Sequence, residues 1–300
     1  MLKRWIALVV DISLLCCFAA SAEDRSNTVR VSYLGPEGTY TEEAAHFFFH
    51  DGETLIPRET VDAAIADLVA GESAYAVIPQ ENTLGGPVVN YVDALISANG
   101  IYVVGEVVLP ISQTLMGIPG ATIQDIRVVC SHAQGLTQSA QWRTENLPDA
   151  VVMEMASTAA AASYVAGQQD KTIAAVAAPG AASLYQLEAL AENVQITDAN
   201  KTRFYILSRY PLENEGLTRA LFVATCEGSR IDDIIIAMHE AGLEMVALHD
   251  RPEGSALGVY HYVIEVEADE AVNNAQIDAV AAMEQVRFLG RFNTMEKRAE

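Results

Sequence analysis

Three features of the chain predict an α/β fold in two lobes followed by a small βαββαβ module. Between Val29 and about Arg209, short β-rich apolar runs alternate with alanine-rich helical stretches, the pattern of mainly parallel sheets covered by helices. A polar connector, Pro211-Leu212-Glu213-Asn214-Glu215-Gly216, interrupts that rhythm. Beyond it the order strand, helix, strand, strand, helix, strand is that of a ferredoxin-like sandwich. With 300 residues, 51% of them hydrophobic, the chain has length for two domains and apolar surface for full cores.

In order, Val29–Leu34 reads as a strand, Thr41–His50 and Thr60–Ala70 as helices, and Tyr75–Ile78 as a buried strand. Asn90–Ala98 is helical in pattern, Tyr102–Leu115 extended, Ile126–Cys130 a strand and Leu136–Glu145 a helix. Val151–Glu154, Ser157–Ala166 and Thr172–Ala177 repeat strand, helix, strand, and Ser183–Glu192 with Phe204–Ser208 complete the region. After the connector come Arg219–Cys226, Ser229–Ala241, Leu243–His249, Val259–Val266, Ala275–Met283 and Val286–Phe292. Two α/β lobes joined by crossing segments leave a cleft between them, the usual seat of a small ligand.

The N-terminus has a different composition. Lys3 and Arg4 precede an apolar run from Trp5 to Ala20, and Ala20-Ser21-Ala22 leads into Glu23-Asp24-Arg25-Ser26. This layout predicts a signal peptide over residues 1–22, cleaved after Ala22, and a periplasmic or secreted protein with no stable membrane association after cleavage. Asp11 interrupts the apolar run, so a retained anchor and a misplaced start are the competing readings; a span needs about 20 residues. Cys16 and Cys17 fall in this leader, leaving Cys130 and Cys226 in different predicted domains as buried, inert thiols. No Cys or His cluster has metal-ligand spacing, so no metal is expected.

Forty acidic against 18 basic residues give a formal charge of -22. Such a surface repels nucleic acid and anionic lipid and offers an anion no long-range attraction. Any anionic ligand must be held by local donors.

Four polar motifs occur in a fixed order: Tyr33-Leu34-Gly35-Pro36-Glu37-Gly38-Thr39-Tyr40-Thr41, Pro79-Gln80-Glu81-Asn82-Thr83-Leu84-Gly85-Gly86, Ser131-His132-Ala133-Gln134-Gly135-Leu136-Thr137-Gln138 and Asn200-Lys201-Thr202-Arg203-Phe204. Together they resemble prephenate dehydratase, which forms phenylpyruvate from prephenate on the route to phenylalanine. The resemblance covers about residues 29 to 294 and implies a two-lobed, periplasmic-binding-protein-like catalytic domain over 29–209 and an ACT regulatory domain over 217–294. It also implies a homodimer or homotetramer, and the reaction calls for no cofactor.

Prephenate loses one carboxylate as carbon dioxide and its ring hydroxyl as water, so the enzyme must grip one carboxylate, assist the departing hydroxyl and leave the other carboxylate poorly solvated. Arg203 is the candidate for the grip, because a guanidinium matches a carboxylate with two parallel hydrogen bonds. The resemblance assigns donation toward the leaving hydroxyl to Thr202, while Phe204 packs beside the ring or in the core. Asn82 and Thr83 offer neutral donors and acceptors, and Gly85 and Gly86 let backbone N–H groups approach an anion. Glu81 orients this loop or acts as an acid if burial raises its pKa. Thr39 and Thr41 are helix caps or ligand contacts; Ser131 and Gln134 are substrate-contact candidates, and His132 is more often structural than catalytic. Ser157-Thr158 looks like a capping pair and is a candidate substrate contact.

In the C-terminal module, relatives that respond to phenylalanine carry Gly-Ala-Leu and Glu-Ser-Arg-Pro. Here the corresponding residues are Arg219-Ala220-Leu221 and His249-Asp250-Arg251-Pro252. Ala220, Leu221, Arg251 and Pro252 are therefore the candidates for an L-phenylalanine effector site, with the motif altered around them. Arogenate dehydratase and a non-catalytic periplasmic solute-binding protein remain the alternatives.

Overall fold

The computed structural model describes residues 28–50 and 52–298; the predicted leader lies outside the described residues. The first lobe comprises β1 (Val29–Leu34), α1 (Tyr40–Phe49), β2 (Glu53–Arg58), α2 (Val61–Ala70), β3 (Tyr75–Asn82), the two-residue β4 (Gly86–Pro87), α3 (Val89–Ser97) and β5 (Tyr102–Pro110). The second holds β6 (Thr114–Gly117), β7 (Val128–Ser131), α4 (Ala133–Gln138), α5 (Ala140–Asn146), β8 (Val151–Glu154), α6 (Thr158–Gln168), β9 (Ile173–Ala177), α7 (Pro179–Leu184) and β10 (Glu188–Ala191). The chain then returns as β11 (Lys201–Ser208) to the middle of the first lobe, whose sheet runs β16-β5-β11-β3-β1-β2 with β4 beside β3, where β16 is Thr294–Glu296. The second lobe's sheet runs β10-β6-β9-β7-β8.

Local chemistry sets the helix starts nearest the cleft. Thr39 caps α1 by accepting from the Glu42 amide, and Ser157 caps α6 by accepting from Ala160 at 2.9 Å. Thr60 and Gly71 bound α2, the glycine closing it at a φ of 79° that disfavours a side chain.

The C-terminal module contains β12 (Arg219–Glu227), α8 (Ile231–Glu240), β13 (Glu244–Pro252), β14 (Val259–Glu267), α9 (Asn274–Ala281) and β15 (Val286–Phe292), with strand order β13-β14-β12-β15. This is the predicted ferredoxin-like order, and its neighbouring strands are all antiparallel. Its sheet does not float beside the catalytic region. Leu221, Val223, Val263, Leu289 and Phe292 share one core with Tyr91, Leu95, Tyr205 and Leu207 of the first lobe. At Gly290 the backbone has φ 131°, and a Cβ there would lie 2.2 Å from the Val103 carbonyl oxygen, so only glycine permits the approach. Arg287 donates to the carbonyls of Leu95, Ile96 and Ala98 at the end of α3, closing the same seam.

Several predicted elements are corrected. The segment Tyr102–Leu115 is two strands in different sheets, separated where the chain crosses between lobes at Ile111–Gln113. Leu136–Glu145 is two short helices divided at Ser139, whose hydroxyl donates back to the Gly135 carbonyl at 2.7 Å. Ser183–Glu192 spans the end of α7 and the strand β10. β2 and β16 were not predicted; both are polar-rich strands at the two ends of the first sheet.

Candidate active site

A cavity of about 260 Å³ lies between the lobes, where the ends of β3 and β11 meet the starts of α1, α4 and α6. Asn82 is the hub of its polar wall. Its Oδ1 accepts from the amides of Leu84 (3.0 Å) and Gly85 (2.9 Å) and from Gln134 Nε2 of the second lobe (3.0 Å). Three donors thus fix which way the Asn82 amide faces. Its Nδ2 must donate, and it does so to Asn200 Oδ1 and Thr202 Oγ1, both at 2.8 Å. Thr202 Oγ1 therefore acts as an acceptor within the protein. Its own O–H hydrogen remains for a partner in the cavity.

Among the described residues, those lining the cavity include no Lys, Arg, Asp or Glu. In a chain of charge -22 this uncharged lining removes local repulsion of an anion. Attraction comes instead from helix ends: α1, α4 and α6 all begin in the cavity wall, capped by Thr39, His132 and Ser157. The first-turn N–H groups of a helix have no intrahelical acceptors, and the macrodipole favours a negative charge beside them. Tyr40 frames the mouth, its hydroxyl donating to the Ser112 carbonyl and accepting from the Ser112 amide at 3.0 Å. Burial pushes this phenol well above its ordinary pKa, so it stays protonated as that donor. Phe204, 1% exposed, and Pro79, Ile111 and Leu34 form the apolar side.

A family model for prephenate dehydratase matches residues 31–211. A prephenate dehydratase from Amycolatopsis methanolica is 34% identical over 272 residues, 88% of this chain and 88% of that one. The chain belongs to the prephenate dehydratase family. The crystal structure of the prephenate dehydratase of Arthrobacter aurescens, in complex with L-Phe, matches with a TM-score of 0.79 and 28% identity, over 88% of this chain and 90% of that one. GqqA, described as a novel type of quorum quenching acylase, matches with a TM-score of 0.77 and 28% identity, over 89% and 98%. The enzyme is accordingly a hydro-lyase that dehydrates and decarboxylates prephenate on the phenylalanine route.

In the dehydratase the predicted site residues separate into two groups. Thr39, Asn82, Gln134, Thr202 and Phe204 line the cavity together, as do His132, Ser157 and Thr158. Arg203 does not. Side chains alternate along a strand, so Thr202 and Phe204 face the cavity while Arg203 points to the opposite side of the sheet. There Glu106 and Glu265 engage its Nε and Nη2, and Glu81 lies 3.5 Å from Nη1. The expected carboxylate grip by Arg203, and the acid role of Glu81, are corrected by that geometry. Burial works against the Arg203 charge, yet the carboxylates of Glu265 and Glu106 hold its pKa above the usual range. Burial pushes the Glu106 carboxyl up, with Arg203 pulling it back.

Three further expectations change. Thr83 is exposed and stitches the loop to Lys201, its hydroxyl donating to that carbonyl at 3.1 Å. Ser131 is fully buried and donates to the Val176 carbonyl at 2.6 Å, away from any ligand. The Gly85 amide is used by Asn82 rather than offered to an anion, and its missing Cβ leaves room for Gln134 Nε2, which such an atom would approach to 3.0 Å. Gly86 supplies a φ of 71° in the turn. In the C-terminal module Ala220 and Leu221 are fully buried, Pro252 is exposed, and Arg251 holds Asp93 of α3 through two bonds of 2.6 and 3.0 Å. Sequence reasoning gave no role to Asn200 or Gln138; both are amides, of a residue type that signals nothing until its partners are seen.

Proposed function

We propose that Thr202 donates its hydroxyl hydrogen to the departing ring hydroxyl of prephenate. The observation that carries this is the 2.8 Å bond in which Asn82 Nδ2 donates to Thr202 Oγ1 and so directs the threonine hydrogen outward. As the carbon–carboxylate bond breaks, its electron pair enters the ring, carbon dioxide departs, and the ring C–O bond breaks to release water. A threonine hydroxyl is too weak an acid to be the net proton source; it stabilises the leaving oxygen, and the proton of the water comes from solvent. The starts of α1 and α6 hold the retained carboxylate, and the Phe204 side of the cavity leaves the other poorly solvated. Thr202→Val, which keeps the shape and removes the hydroxyl, is expected to lower kcat by about 10² to 10⁴ while Thr202→Ser stays within about tenfold. Equal loss in both would refute the donor role.

The cavity chemistry favours dehydration over acyl transfer. Among the described residues no cavity hydroxyl is hydrogen-bonded to a histidine or carboxylate: Thr202 meets an amide, and Ser157 accepts from a backbone N–H. A nucleophile without an adjacent base is not activated. Prephenate rather than arogenate is the proposed substrate, because the uncharged wall supplies no carboxylate to pair with an amino group. Comparing turnover of the two tests it.

The C-terminal module is proposed to be an ACT domain that responds to L-phenylalanine and pairs with a second copy, giving a homodimer or homotetramer. Its edge strand β13 leaves Met245 and Val246 47% and 36% exposed. Arg251 ties that strand to α3, so a ligand bound there would be felt in the catalytic region. A change of turnover on adding L-phenylalanine, and the mass in solution, test these points. Export is proposed from the leader alone; a mature protein beginning at Glu23 is the expected product.

A further inference from the structure

Behind the cavity, on the far side of β11, lies a buried charge cluster that dehydration chemistry does not touch. Glu106 and Glu265 are 0% and 1% exposed, and they share Arg203 and Arg219. Glu265 belongs to β14 of the C-terminal sheet, whereas Arg203 belongs to β11. Both Glu265 oxygens accept from Arg203 Nη2, at 2.7 and 2.6 Å, and Oε2 also accepts from the Tyr205 hydroxyl at 3.0 Å. One carboxylate from the C-terminal module thus grips residues 203 and 205 from behind, while 202 and 204 face the cavity.

β11 is paired regularly on one side of this stretch and irregularly on the other. The pairing with β5 runs in unbroken register from Lys201 to Ile206, whereas the pairing with β3 slips at Gln80, the residue skipped between Glu81 and Pro79, so on the Asn82 side the ladder alone does not fix how Thr202 meets its partner. Thr202 lies opposite Asn82 and Arg203 opposite Glu81, and Glu81 is itself 3.5 Å from Arg203. Both partners of the catalytic hydrogen bond are therefore sequence neighbours of the cluster.

We propose that Glu265 is a positioning residue for the dehydration, holding β11 beside the irregular β3 pairing through Arg203 and Tyr205 and thereby aiming the Thr202 hydroxyl. This deepens the reading of the site given above and rests on it for its kinetic part. A misplacement of about 1 Å in such a group costs about 10² in rate, so loss of the grip appears in kcat and much less in KM. It also gives the C-terminal module a physical handle on the reaction.

The test uses the full chain, with Glu265→Gln and the milder Tyr205→Phe, each alone and combined with Thr202→Ala. In the Thr202 chain, Glu265→Gln is expected to lower kcat about tenfold or more with KM within about twofold, and Tyr205→Phe to lower it by a smaller factor. In the Thr202→Ala background neither adds a further loss, because there is no hydroxyl left to aim. Losses that multiply in both backgrounds, or unchanged kcat in folded variants, would overturn the proposal. If Glu265→Gln does not fold, Tyr205→Phe carries the same comparison. Amide hydrogen exchange over residues 201–204 supplies a readout independent of turnover: faster exchange in either variant is expected, and unchanged exchange overturns the grip even if the parent chain turned over no prephenate. That last failure alone would contradict the dehydratase reading instead.

Discussion

Replacing Asn82 by Asp changes one NH₂ group into an oxygen and adds a negative charge at nearly constant shape, which makes it a sharp probe of the hydrogen-bond direction on which the site depends. The Oδ1 side is unaffected: Leu84 N, Gly85 N and Gln134 Nε2 continue to donate. On the other side the introduced oxygen cannot donate to Asn200 Oδ1 or Thr202 Oγ1. Asn200 has a remedy, since its Nδ2 is buried without a partner and a turn of its amide brings that donor to the new carboxylate. Thr202 has one too, but it consumes the catalytic hydrogen: the hydroxyl rotates to donate to the carboxylate. Stability is thus expected to fall by only about 1 kcal/mol, the worth of one ordinary hydrogen bond. Catalysis loses far more, about 10² to 10³ in kcat, or about 3 to 4 kcal/mol of barrier. KM rises as well, because the added charge repels a dianionic substrate. Steady-state kinetics beside thermal unfolding separates these effects. A kcat within about fivefold of the parent, with only KM raised, would show that repulsion acts alone and that Thr202 is not aimed by Asn82.

Two other perturbations follow from the seam between the lobes and the C-terminal module. Burial lowers the pKa of His249, with nearby Glu81 raising it, so the folded state binds its proton less readily than the unfolded chain. Its contribution to stability is therefore present above the ordinary histidine pKa and is lost as pH falls through about 6.5 toward the lower folded value; unfolding curves between pH 7 and 5 should show the loss, reduced in His249→Asn. Gly290→Ala places a Cβ 2.2 Å from the Val103 carbonyl oxygen at a φ of 131°, and is expected to destabilise by about 3 kcal/mol or more with loosened docking of β15 on β5, measured by denaturation and limited proteolysis.

Much of this arrangement is legible in the sequence. Each predicted element of the C-terminal module overlaps its observed counterpart, because its helices are amphipathic and its strands are bounded by turn residues. The motif order brings Asn82, Gln134 and Thr202 together although 120 residues separate the first from the last. Facing is what the sequence conceals. β11 is covered on both sides, by the cavity region and by the C-terminal sheet, so its side chains show no polar and apolar alternation that would tell Thr202 from Arg203. The hydroxyls of Ser131 and Thr83 give no warning that backbone carbonyls take them. Glu265 carries no motif at all; its role rests on a strand that ends beside β11 only in the folded chain.

The most direct measurement gives the purified chain prephenate at neutral pH and follows phenylpyruvate, with Thr202→Val alongside. The account predicts turnover by the parent and a kcat lower by about 10² or more in the folded variant. A variant that turns over prephenate as fast as the parent, or a folded parent that does not turn it over, would contradict it.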